Sequence, residues 1–146
     1  MTSLLAVLVF TAAPPAWRVE VATLGGVSGG GAGAVRIAST GEAEVVAPSG
    51  QRCHVQLAPG ELARLARAVR RAHPTRWRPR YYLPDNPTGC CDQMATTLAL
   101  LRGPPSRPRS VTGWYDESRQ LVPPDALALH EAAMDLAAAH QGCAAR

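Results

Sequence analysis

Residues 17–57 alternate between apolar and polar side chains with a period of two. Trp17-Arg18-Val19-Glu20-Val21-Ala22 reads as a strand. Ala34-Val35-Arg36-Ile37-Ala38-Ser39 alternates in the same way and puts Val35 and Ile37 on one face. Glu44-Val45-Val46 and Cys53-His54-Val55-Gln56-Leu57 continue the pattern, with a turn at Thr40-Gly41-Glu42. Between the first two runs lies Gly25-Gly26-Val27-Ser28-Gly29-Gly30-Gly31-Ala32-Gly33. So many glycines cost too much conformational entropy inside a regular element, so a loop is predicted and the flanking strands form a hairpin or meander.

The period then becomes helical. Pro59 suits a first helical position and Glu61 the positive end of the helix dipole. Leu62, Leu65, Ala66 and Val69 make one apolar stripe, Arg64, Arg67, Arg70 and Arg71 lie elsewhere on the surface, and Pro74 stops the helix. Residues 75–89 are irregular, with prolines at 79, 84 and 87. Gln93 to Leu101 and Ser110 to Tyr115 predict a strand and its return strand across the 103–108 loop. Pro123-Pro124-Asp125 opens a last helix running to about Gln141, with Ala126, Leu129, Ala133, Leu136 and Ala137 on its apolar face. Strands followed by a helix, twice over, predict an α+β domain: an antiparallel sheet of about four or more strands packed against two helices.

The amino terminus changes the setting of that domain. Leu4-Leu5-Ala6-Val7-Leu8-Val9-Phe10 is too short for a bilayer span, which takes roughly 20 apolar residues. Followed by Thr11-Ala12-Ala13-Pro14-Pro15-Ala16, it predicts a signal peptide over 1–16, a secreted or extracytoplasmic domain over 17–146, and no membrane contact after cleavage. The net charge is +4, yet all 15 basic residues are arginine and lysine is absent. Together with abundant Ala, Gly and Pro this indicates a GC-rich, bacterial coding bias, so the basic balance says little about partners.

Export gives the four cysteines a role. Cys53, Cys90, Cys91 and Cys143 form an even set for an oxidising compartment. Adjacent Cα atoms lie about 3.8 Å apart, below the disulfide range that starts near 4.4 Å, so Cys90 and Cys91 each reach elsewhere, to Cys53 and Cys143 in either pairing. A metal site built from Cys53-His54 and Cys90-Cys91-Asp92 is the competing reading. Adjacent cysteines present two sulfurs to one tetrahedron less naturally than a Cys-x-x-Cys turn, so no metal and no cofactor are predicted.

Other motifs fail on context. Gly26-Val27-Ser28-Gly29-Gly30 matches Gly-x-Ser-x-Gly but is followed by more glycine and a strand, not by the helix a nucleophile elbow needs. His130-Glu131-Ala132-Ala133-Met134 has Met where a zincin helix has its second His. Asp116, Glu117 and Asp125 sit where solvation or capping explains them. Arg76, Arg78 and Arg80 interleave with Trp77, Tyr81 and Tyr82, as a nucleic-acid surface does, but a proline-braced loop packing its aromatics over the sheet explains them as well, and no nucleic-acid partner is predicted. No catalytic residue is predicted; a hydrolase reading would require Ser28 and a histidine within hydrogen-bond reach.

Taken together, Val19-Glu20-Val21 running into Gly25-Gly26-Val27-Ser28-Gly29, the Val35/Ile37 strand, the Leu62-Leu65-Val69 helix, the proline-rich stretch, the strand opening near Asp92 and Pro123-Pro124 before a Leu-rich closing helix resemble emfourin. Emfourin is a small proteinaceous inhibitor of thermolysin-type metallopeptidases, and the pattern covers most of residues 17–141. The cysteines, the signal and the long 74–91 segment depart from the compact family pattern. The resemblance implies a non-enzymatic inhibitor that inserts its glycine loop into a metallopeptidase cleft, through Gly25, Gly26, Val27, Ser28 and Gly29 with Trp17 as a hydrophobic anchor. A secreted binding module for another ligand on the same scaffold is the alternative.

Overall fold

The alternating segments build strands β1 (Trp17–Gly25), β2 (Gly33–Ala38), β3 (Glu42–Val46) and β4 (Arg52–Gln56), and the later pair builds β5 (Met94–Arg102) and β6 (Ser110–Tyr115). Helix α1 spans Pro59–Arg71 and α2 spans Pro124–His140. The computed structural model describes residues 16–26, 31–87 and 92–142. The fold is α+β, as the periodicities predict.

All six strands are antiparallel in the order β4-β3-β2-β1-β5-β6. The first four form a meander, and the β5–β6 hairpin is added on the far side of β1. Period two decides the faces. Val19, Val21, Val35, Ile37, Val45, Leu98, Leu100 and Trp114 are buried on one face. Arg18, Glu20, Ala22 and Leu24 of β1 share the other face with their cross-strand partners Arg36, Ala34, Ala99 and Thr97.

Helix α2 lies across β1, β2 and β3, and α1 packs along α2. Its buried side chains Ala126, Leu129, Ala133, Leu136 and Ala137 are those of the predicted stripe, joined by His130. Three polar contacts fix the antiparallel helix pair. His140 Nε2 meets Glu61 Oε1 at 3.0 Å, joining the end of α2 to the start of α1. At the opposite end, Asp125 Oδ2 accepts from the His73 N–H (2.7 Å) and from Trp77 Nε1–H (3.1 Å). Arg102 donates from Nη2 to Val69 O and to Ala72 O, capping the end of α1, where Val69 O otherwise accepts only a 3.3 Å bond from the Ala72 N–H. Burial opposes the charge of Asp125, but the hydrogen bonds from His73 and Trp77 outweigh it and hold its pKa below the ordinary value. Glu61 likewise titrates low, chiefly through the bond it accepts from the Ala58 N–H at 2.9 Å.

The irregular 75–89 stretch has a function in the fold. Pro74–Arg76 form one 3₁₀ turn, and residues 78–81, bent at Pro79, then run as a rail along the free edge of β6. The Tyr81 N–H donates to Gly113 O (2.8 Å) and the Gly113 N–H to Pro79 O (3.1 Å). Thr112 Oγ1 donates to Arg78 O (2.7 Å), and the Arg78 N–H donates to the Tyr81 hydroxyl (3.0 Å). A second 3₁₀ segment, Asp116–Leu121, supplies Ser118, whose fully buried hydroxyl donates toward Tyr81 O (2.9 Å). Trp77 and Tyr81 are thereby buried at the sheet edge while Tyr82 stays exposed.

His130 sits edge-on to Trp114, with ring centroids 5.3 Å apart and planes at 76°. Burial pushes its pKa down, the positive charge of Arg119 adds to this, and Glu131 opposes it. A histidine held neutral in the fold takes a proton more readily once unfolded. Stability is therefore fully present above the unfolded value of about 6.5 and is lost as pH falls below it. We expect the urea midpoint to drop between about pH 7 and pH 5. A His130→Phe variant should show a flatter dependence over that window; an unchanged slope would assign the pH response elsewhere.

Candidate functional site

One end of the sheet gathers the loop between β1 and β2, the turn after Val46, the start of β5 and the 3₁₀ segment after Tyr115. The register requires this, because Gly25 lies opposite Met94, Ala34 opposite Val46 and Ala95 opposite Tyr115. The base of the glycine loop is braced from three sides. The Gly31 N–H donates to Gly25 O at 2.8 Å, closing the loop on itself. Thr23, buried at 6 % exposure, donates from Oγ1 to Gly33 O (3.0 Å) and accepts from the Ala32 N–H (2.5 Å). The Gly26 N–H reaches Gln93 O at 3.4 Å, tying the loop to the approach to β5.

Gly25 and Gly31 are among the glycines that the geometry of this loop requires. Gly25 has φ of 95°, and a Cβ there would lie 2.5 Å from Gln93 O. Gly31 has φ of 62°, and a Cβ there would lie 2.4 Å from Thr23 O. Both conformations are strained for an L side chain, and both backbones approach a neighbour too closely for one. Of the predicted loop contacts, Gly25 and Gly26 lie on this braced base, and Val27, Ser28 and Gly29 lie outside the described residues.

Trp17 does not join them. It occupies the opposite end of β1, eight residue steps from Gly25, or roughly 26 Å at about 3.3 Å per step. There it exchanges backbone and side-chain bonds with Ser39 and walls an apolar groove of about 580 Å³ with Pro59, Leu62, Ala66 and Val69 of α1. The apolar side chain beside the loop is Leu24, 67 % exposed on the open face of the sheet. Strand alternation alone points Leu24 away from Val19 and Val21, so this placement was readable from the sequence.

The middle of the open face is self-neutralised. Glu20 pairs with Arg109 (2.9 Å) and Arg36 (3.3 Å), and Glu44 pairs with Arg52 (3.0 Å) and Arg36 (3.4 Å). Cys53 is buried on β4 and faces the core, whereas its neighbour His54 is exposed on the other face. The two therefore point away from a common ion. Cys90, Cys91 and Cys143 lie outside the described residues, as do residues 1–15 of the predicted signal. Among the described residues no three His, Cys, Asp or Glu side chains gather at one point. In α2, His130 turns inward while Glu131 turns outward to Arg119 at 2.6 Å. The position one helical turn after His130, which would have to supply a second imidazole, is Met134.

Comparison with protein-family models, curated proteins and solved structures yields no match.

The braced base predicts a contrast between two glycines. Gly25→Ala should lower the unfolding free energy by about 1–3 kcal/mol, from the positive φ and the contact with Gln93 O. Gly60→Ala in the first turn of α1, where a Cβ meets nothing within 4 Å, should be neutral or stabilise by up to about 1 kcal/mol. Urea denaturation of the two variants checks both; equal effects would remove the conformational requirement at Gly25.

Proposed function

We propose that this chain is an exported proteinaceous inhibitor of a thermolysin-type metallopeptidase, acting by binding and not by chemistry of its own. The observation that carries the reading is the braced base of the glycine loop. An inhibitor must present a protruding segment without a large ordering cost on association. Here Thr23, the Gly25–Gly31 closure and the Gly26–Gln93 contact fix where the loop leaves and re-enters the sheet. Gly25 and Gly26 carry no side chain to obstruct a narrow cleft. Leu24 adds an apolar contact next to them, and Trp17 at the far end of β1 is left out of this surface. The resemblance to emfourin supplies the target class.

Export completes the reading. We infer that Cys53 is one half of a disulfide. Its sulfur lies in the core beneath β4, so the crosslink would tie that edge of the sheet to a distant part of the chain. Such a crosslink stabilises by roughly 2–4 kcal/mol through the unfolded state.

The decisive experiment titrates the oxidised domain from residue 17 onward against a thermolysin-type peptidase and follows cleavage of a peptide substrate. Stoichiometric loss of activity with the domain left intact is expected. Replacing Gly26 and Gly29 with Trp should abolish the inhibition while the thermal melt stays cooperative. No effect of the wild-type domain at micromolar excess over several such peptidases would overturn the inhibitor reading and leave a secreted binding module for another ligand.

A further inference from the structure

The arginines are not spread evenly. Between Glu61 and Asp85 lie Arg64, Arg67, Arg70, Arg71, Arg76, Arg78 and Arg80, with no carboxylate among them. The last three line a cleft of about 750 Å³ with Tyr82, Leu121 and Pro123. All three are exposed, and none takes part in an ion pair among the described residues, unlike the paired arginines of the open sheet face. Of the nearby carboxylates, Asp125 is engaged with His73 and Trp77 and Glu117 with Asn86 Nδ2 at 2.8 Å, and neither Asp85 nor Asp116 forms an ion pair with these arginines among the described residues.

The backbone that carries these arginines is rigidly held. The Arg78 N–H and carbonyl, the Pro79 carbonyl and the Tyr81 N–H and carbonyl all have partners in the rail along β6. Arg78 and Arg80 flank a bend at Pro79, on backbone held against β6 on both sides of it. Beside them Tyr82 and Leu121 are 46 % and 45 % exposed, an apolar floor next to a positive wall.

We propose that this cleft is a docking site for an acidic, extended segment of a partner protein that also carries a large apolar side chain. Its carboxylates meet Arg76, Arg78 and Arg80, and its apolar residue covers Tyr82 and Leu121. Charge complementarity selects the sign of the partner, and the preorganised rail lowers the ordering cost of binding. A single-stranded nucleic acid fits less well. It needs exposed aromatic faces for stacking, and Trp77 and Tyr81 are only 9 % and 7 % exposed, which leaves Tyr82 alone. A sulfated glycan would leave the apolar floor uncovered. The cleft follows the β6 edge, two strands from the β1 end that holds the glycine loop, so it stands or falls independently of peptidase inhibition.

The test is fluorescence polarisation of a labelled peptide rich in Asp and Glu around one Leu and one Phe, with the full chain. The same peptide with Asn and Gln in place of its carboxylates, a sulfated oligosaccharide and a single-stranded oligonucleotide serve as competitors. The acidic peptide should bind in a salt-dependent manner and the amide peptide should not. The combined Arg76→Gln, Arg78→Gln and Arg80→Gln variant should weaken binding about tenfold or more. The combined Arg64→Gln, Arg67→Gln and Arg70→Gln variant, with the same loss of charge on α1, should change it less than about threefold. Leu121→Ser should weaken it without altering the salt dependence. Equal losses in the two arginine variants would reduce the effect to net charge and overturn the site. Stronger competition by the oligonucleotide or the sulfated oligosaccharide would overturn the acidic peptide as its occupant, and binding of the amide peptide would do the same.

Discussion

The structure depends on the pairing of β1 with β5. Nine consecutive residue pairs, from Trp17 opposite Arg102 to Gly25 opposite Met94, join segments that are far apart in the chain. Closing so long a loop costs entropy that grows slowly with its length and must be offset once contact is made. The offset comes from the side chains this pairing brings together: Val19 and Val21 of β1, and Leu98 and Leu100 of β5, are essentially inaccessible to solvent. Without the pairing, β1 would be an open edge strand and the β5–β6 hairpin would expose its apolar face. With it, β1 becomes a central strand, and α2 has a continuous surface to cover.

Both sheet edges are protected, by different means. The β4 edge relies on its composition, since Arg52, His54 and Gln56 are exposed and a charged, short strand is a poor template for another chain. The β6 edge is covered by another segment of the same chain, the rail at residues 78–81, hydrogen-bonded to Thr112 and Gly113. Asp125 holds that rail in place from the first turn of α2 by gripping His73 and Trp77, and Arg102 holds the adjoining end of α1. One acidic side chain at a helix start therefore connects both helices to the edge of the sheet.

The strands and helices were legible because their periodicities are uninterrupted. Val35 and Ile37 alternate cleanly, and Leu65 and Val69 recur at helical spacing, so most observed limits differ from those predicted by a residue or two; β1 runs three residues past the predicted Ala22, to Gly25. The rail was not legible. Its prolines argued for irregularity, and nothing local in Arg78-Pro79-Arg80-Tyr81 records that Gly113, Thr112 and Ser118 would supply its hydrogen bonds from across the fold. The predicted mixing of basic and aromatic groups there is taken apart by the same tertiary contacts, which bury Trp77 and Tyr81 and leave the arginines outside. At the loop end, the glycines announced a loop but not its brace. Thr23, just past the strand as predicted to Ala22, matters through a hydroxyl that binds the returning strand ten residues on.

The two surfaces argued here share one design. In each, the backbone closest to the surface has its polar groups satisfied inside the fold, by Thr23 and Gln93 at the loop base and by Thr112, Gly113 and Ser118 along the rail. A backbone already bonded internally has little to gain by rearranging for a partner, so what remains for recognition is shape at one surface and charge at the other. At the glycine loop the missing side chains are the feature, because bulk there would block access. At the rail the side chains are the feature, because Arg76, Arg78 and Arg80 form no ion pair among the described residues, while Glu20 and Glu44 cancel the arginines of the open sheet face. The contrast between neutralised and unneutralised arginines, in a chain whose basic residues are all of one type, is the physical basis for proposing the cleft and not the open sheet face as a docking site.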